Sequence, residues 1–207
     1  MKKIEYKENI YDVPETIWEM NVGQFVDVYT TLRDSQDRGE LEVDMELISL
    51  VCGLPMDEIK EMSYNTFLEL TEQVGINDFE IPKIESNKEA GTNDKREPVK
   101  FSVGGEEYIF QPDYVYTRME TASKVEDYLS KMKDPDIYAN LHYILAIAAR
   151  KEGEIYSNEA LNEKAVLMCS VPMSDVYKAL FFFAQQGETS LMFTKIFGRM
   201  AVKNSQS

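Results

Sequence analysis

The chain has 207 residues, 37 acidic against 22 basic side chains, and a formal net charge of −15 at pH 7. That length suits one full domain or two small ones, and a 43% hydrophobic content excludes a wholly disordered chain. The acid excess argues against direct nucleic-acid binding, because phosphates would meet like charge, and no apolar run is long enough to cross a bilayer.

The opening MKKIEYKENIYDVPETIW starts with the lysine pair Lys2-Lys3 but has no apolar stretch behind it, so no secretion signal is expected. Ile4, Tyr6, Ile10 and Tyr11 flank the turn residues KEN, which predicts a first β-hairpin. Trp18 is expected to staple the joint that follows. Asn21 and Gln24 form an N-cap with its partner at N3, and Met20 and Phe25 suit the hydrophobic staple across it. Phe25, Tyr29 and Leu32 continue at helical spacing, with Val26 and Val28 widening the stripe. A second helix is predicted from about Asp44 to Cys52, stopped by Gly53. Pro55 opens a short turn. Ser63 then caps a helix carrying Phe67, Leu70 and Val74, which Gly75 ends.

The stretch 82–98 reads PKIESNKEAGTNDKREP, polar and bounded by prolines, and is expected to be a linker or exposed loop. It separates a module over 1–81 from one over 99–201, with a frayed tail at 202–207. The second module opens on Phe101 and Val103, Gly104-Gly105, then Tyr108 and Phe110. Gly-Gly accepts the positive φ angles of a tight turn, so this is the clearest strand signal in the chain. Met119 to Met132 predicts a helix. Asp134-Pro135 is an N-cap followed by proline at N1. It precedes an apolar face of Ile137, Tyr138, Leu141, Ile144, Leu145 and Ala148 that should end near Gly153. Ser157 is expected to cap a helix through Leu161, Ala165 and Met168, and Pro172 to start another that ends near Gly187. A last helix holds Met192, Phe193, Ile196, Phe197 and Met200. The fold class is therefore mainly α with one or two small β-hairpins (α+β).

The two modules echo one another. Lys3 answers Lys100, Pro14 answers Pro112, Met20 answers Met119 and Tyr29 answers Tyr128. Later, CGLPMDEI at Cys52 to Ile59 answers CSVPMSDV at Cys169 to Val176. Met20 and Met119 lie 99 apart and Pro55 and Pro172 lie 117 apart, so the second half carries 18 more residues between its landmarks. The conserved order favours an internal duplication. The alternative is that hairpins and capped helices reuse the same few residue types.

No residues are assigned to catalysis, to a metal or to a cofactor. His142 is the single histidine and sits in LHYILA, where a satisfied, semi-buried ring is expected. Cys52 and Cys169 lie in separate halves among apolar neighbours, suiting two free thiols in a reducing compartment. No HExxH, P-loop, EF-hand or dinucleotide glycine pattern occurs, and no serine sits in G-x-S-x-G.

The sharpest feature is Leu180-Phe181-Phe182-Phe183-Ala184. Successive helical residues point about 100° apart, so three phenylalanines cannot share one face. Such a helix is apolar nearly all round. Either it lies at the centre of the fold or part of it meets another chain. On the second reading Phe181, Phe182 and Phe183, with Met192, Phe193 and Phe197 of the next segment, are the candidate partner-binding residues.

WEMNVGQFVDVY, LPMDEI, NLHYILA and the closing LFFFAQQ resemble small acidic proteins of tailed bacteriophages that are described as tail assembly chaperone-like. The resemblance implies a helical, non-enzymatic protein in the host cytoplasm. It would hold an aggregation-prone partner, such as a tape measure protein or another tail or head structural protein, by helix-in-groove contact. It equally allows a structural component that stays in the virion, and a homo-oligomer. No nucleic acid or membrane partner is expected.

Overall fold

The structure is a computed structural model. It describes residues 1–75, 99–110, 123–125, 127–128, 130–131, 136, 138–154, 157 and 159–176. The expected linker over 82–98, the helix ends beyond 176, the phenylalanine run and the tail at 202–207 lie outside the described residues. What is described is mainly helical, with two antiparallel two-stranded sheets.

Strands β1 (Lys2–Tyr6) and β2 (Asn9–Val13) pair in register from Lys2 opposite Val13 to Tyr6 opposite Asn9. The turn is Lys7-Glu8, both at positive φ (47° and 67°), so Asn9 belongs to the strand and not to the turn. A single 3₁₀ turn at Ile17–Glu19 leads into α1 (Val22–Arg33). Asn21 caps α1 as expected, its Oδ1 accepting the Gln24 amide at 2.8 Å. Met20 and Phe25, the predicted staple pair, are each 1% exposed.

Helix α2 spans Glu40–Cys52, beginning four residues before the expected start at Asp44. The two extra acids of its first turn, Glu40 and Glu42, face the positive end of the helix dipole. Arg38 ties the turn down through Glu42 (2.9 Å) and Glu46 (2.6 Å). Gly53 ends the helix in the left-handed region (φ 69°), which a side chain would disfavour. A short α3 (Met56–Lys60) follows Pro55, and α4 (Tyr64–Val74) follows Ser63, whose hydroxyl accepts the Thr66 amide at 3.2 Å. Phe67, Leu70 and Val74 are the buried face of α4, as their spacing predicts.

The second hairpin, β3 (Val99–Val103) with β4 (Glu106–Phe110), turns at Gly104-Gly105, both at positive φ. Helical residues follow at 123–125, 127–128 and 130, inside the predicted Met119 to Met132 helix. Two elements then depart from the sequence reading. The helix expected to run on towards Gly153 is α5 (Leu141–Ala148) and stops five residues short of it, because Arg150 leaves to pair with β4. The Ile109 amide donates to the Arg150 carbonyl at 2.7 Å and the Arg150 amide to the Ile109 carbonyl at 3.1 Å. Ser157 does not cap the next helix: its hydroxyl accepts the Glu159 amide at 3.2 Å, and α6 (Leu161–Met168) starts after Ala160 without a side-chain cap. Residues 173–176 are helical after Pro172.

One core runs through both halves. Ile4, Val13 and Phe25 join Leu47 and Leu54, and the same cluster takes in Phe101, Leu145, Met168 and Val176. Burying each large aliphatic side chain contributes roughly 1.5–3 kcal/mol, so the two halves stabilise each other.

Candidate functional site

None of the six candidate partner-binding residues, Phe181, Phe182, Phe183, Met192, Phe193 and Phe197, lies among the described residues. Their approach is described: Met173 and Val176, on the helical residues 173–176, are 0% and 1% exposed.

The described residues bring together a seam between the two halves. It is built at the start of α1, where the first amides of a helix lack intrahelical partners. The Val22 amide donates to the Val171 carbonyl and the Gly23 amide to the Cys169 carbonyl, each at 2.9 Å. In return the Met173 amide donates to the Met20 carbonyl at 2.9 Å. Gly23 permits this approach, since a Cβ there would stand 3.1 Å from the Cys169 Cβ. The CSVPM motif singled out in the sequence is thus the receiver for the N-terminus of α1.

About two turns further along α1, the Tyr29 hydroxyl donates to Asp136 Oδ2 at 2.7 Å, and Arg33 Nη1 stands 3.7 Å from the same oxygen. Asp136 Oδ1 meanwhile accepts the amides of Tyr138 (2.8 Å) and Ala139 (3.1 Å), which opens the turn before α5. The sequence reading placed the cap at Asp134-Pro135, which lies outside the described residues, and missed Asp136. Burial, followed by the bond to Asp136, pushes the Tyr29 hydroxyl well above the ordinary tyrosine range. Phe25, Tyr29 and Tyr138 pack as an aromatic trio here, with Tyr29 and Tyr138 centroids 5.2 Å apart.

A second cluster surrounds Tyr108 on β4. The Lys164 ammonium, its side chain 10% exposed, donates to Glu154 Oε1 at 2.6 Å and to the Ala149 carbonyl at 2.7 Å. It also lies 5.3 Å from the centre of the Tyr108 ring, and Lys151 Nζ lies 5.5 Å from it. Lys151 pairs in turn with Glu106. Burial first, and then the nearby Arg150 and Lys151 charges, lower the Lys164 pKa against the opposing pull of Glu154. Burial also pushes the Glu154 carboxyl up, but the bonds from Lys164 and Lys151 outweigh that and hold it below its usual range. No sequence motif marks this cluster, because its members come from β4, from α6 and from the segment between α5 and α6. It is a partly buried ion pair packed over a ring.

His142 corrects the expectation of a satisfied ring. It is half-buried, but its Nδ1 is sealed from water without a hydrogen-bond partner. The Tyr128 hydroxyl is sealed and unpartnered in the same way, and burial pushes its pKa up to about 12. Both cysteines are free. Cys52 is buried and its thiol pushed up to about 12, while Cys169 is half-buried and also raised, first by burial and then by Asp27. Neither thiol is poised as a thiolate nucleophile. Among the described residues no three His, Cys, Asp or Glu gather in a group that could hold a metal ion, and no helix is long and apolar enough to cross a membrane. Among the described residues the exposed large apolar ones are Met1, Ile10, Leu41, Tyr64, Leu68 and Val166, of which Tyr64 and Leu68 lie one turn apart on α4.

No protein-family profile, curated protein or solved structure matches this chain.

Proposed function

We propose that the protein is a non-enzymatic binding factor in bacteriophage particle or tail assembly, acting as a chaperone for a tape measure protein or another structural protein of the tail or head. The observation that carries this reading is the run Leu180-Phe181-Phe182-Phe183-Ala184 in a chain of net charge −15. An element apolar on every side is a liability in water unless it is sealed inside or covered by a partner. A negatively charged exterior keeps such a body dispersed and repels nucleic acid and anionic membrane. The resemblance to chaperone-like phage proteins supports the same reading, with the host cytoplasm as its place of action and self-association as one way of covering the run. Eleven methionines and twelve tyrosines add side chains that repack readily and suit interfaces.

The test is Phe182→Ser in the full chain, co-expressed with the products of adjacent genes and examined by native mass spectrometry. Partner capture should fall while helicity by circular dichroism stays unchanged. Loss of helicity would instead place Phe182 in the core and remove the basis of the reading. Mass spectrometry of purified particles separates the chaperone from a structural virion component, since a chaperone is absent from mature virions.

A further inference from the structure

We propose that His142 is a proton-sensitive strut at the seam between the two halves: neutral, it lets α1 and α5 close on one another, and protonated, it loosens them. The ring lies at the second residue of α5, in a helix's first turn, where the positive end of the dipole opposes a cation. Its Nδ1 is sealed and has no acceptor. An imidazolium carries a proton on both nitrogens, so protonation would either leave a buried donor unsatisfied or force the ring to open the packing around it. The neighbours offer little relief. Tyr143 lies 4.6 Å away, centroid to centroid, and Tyr128 stacks on Tyr143 at 5.0 Å with its own hydroxyl sealed and unpartnered.

The charged groups that face this ring from the packed elements are Asp27 on α1 and, behind it, Glu46 on α2, with the Cys169 thiol at the end of α6 near Asp27. Asp27 alone favours the imidazolium. It is an exposed residue, so water screens its pull, and burial of the ring prevails: the His142 pKa is held below its ordinary 6.5. A histidine depressed in the folded state takes up its proton more readily when the chain opens. Its contribution to stability is therefore complete above about pH 6.5 and is lost as pH falls below that value. The place matters because Asp27 stands one turn beyond Gly23, whose amide is held by the Cys169 carbonyl of the other half.

The chain has one histidine, so a single imidazole signal reports this site alone. Proton NMR of the full chain should give a midpoint below 6.5. Amide exchange at Val22 and Gly23, corrected for its intrinsic pH dependence, should accelerate roughly threefold or more between about pH 7.5 and pH 5.5. The acceleration should disappear in both His142→Gln and His142→Phe, two variants that guard against one of them failing to fold. A midpoint at or above 6.5, or the same acceleration in a folded variant, would overturn the proposal.

Discussion

The two hairpins differ in what they bury and not in how they are built. Each has two five-residue strands and a two-residue turn at positive φ, and each paired position of the first has its equivalent 97 positions later, Lys2 at Val99 and Val13 at Phe110. That spacing sets Lys3 opposite Lys100, as in the sequence echo. In the first hairpin Ile4 and Val13 are buried while Tyr6 and Tyr11 are half-buried. In the second, Phe101, Val103 and Tyr108 are all buried, Arg150 extends the β4 edge, and two lysines stand over Tyr108. Turn geometry and register thus set the hairpin, and the surroundings set how much each copy contributes.

The largest expected effect tests that statement directly. Tyr108 is 2% exposed and its ring stacks on Phe101 at 5.9 Å. Tyr108→Ala should cost about 3–5 kcal/mol in urea unfolding, the range for deleting a buried aromatic ring. Tyr11 occupies the matching position and is only half-buried. Tyr11→Ala should cost about half as much or less, since less area leaves water there. Equal losses would mean that the hairpin itself, and not the Lys164 and Lys151 surroundings, carries the energy.

The helices that follow offer a second matched pair. Tyr29 and its counterpart Tyr128 present the same hydroxyl to different fates: one donates to Asp136, the other is sealed without a partner. Tyr29→Phe removes a bond to a charged acceptor and should cost about 1.5–3 kcal/mol. Tyr128→Phe removes only a buried orphan and should leave stability unchanged or raise it by about 1 kcal/mol. Chemical denaturation of the two variants side by side decides the matter. A loss at Tyr128→Phe equal to that at Tyr29→Phe would show that its hydroxyl is bonded after all.

What the sequence disclosed was local. Asn21 and Ser63 could be recognised as caps, Gly53 as a helix stop and Gly104-Gly105 as a turn, because each acts on backbone within four residues of itself. The end of α5 could not be placed, because Ala149 and Arg150 leave the helix for a strand forty residues away in sequence. The seam escaped for a related reason. CSVPM was conspicuous as a repeat, yet nothing in it indicates that its carbonyls receive the amides of Val22 and Gly23. His142 was expected to be satisfied from its apolar helical setting, and only the packed neighbourhood reveals the missing acceptor. Phe181 to Phe183 remain readable only as a composition.

The smallest effects lie at the hairpin tips, where the two copies solve one steric problem differently. Both turns need positive φ, which costs a side-chain-bearing residue roughly 1 kcal/mol and glycine nothing. Gly104, at φ 61°, also faces the Leu167 side chain, whose Cδ1 would stand 2.9 Å from an added Cβ. Gly104→Ala should therefore cost about 1–2 kcal/mol, part of it from strain and part from displacing Leu167. The first hairpin bears that strain already, at Lys7 and Glu8. Glu8→Gly should relieve it and raise stability by about 0.5–1 kcal/mol, less whatever the freer unfolded chain takes back. Thermal melts of both variants measure the difference. A destabilised Glu8→Gly would show that this glutamate is held by an interaction that the backbone angle alone does not account for, and that the two tips are not alternative solutions to the same constraint.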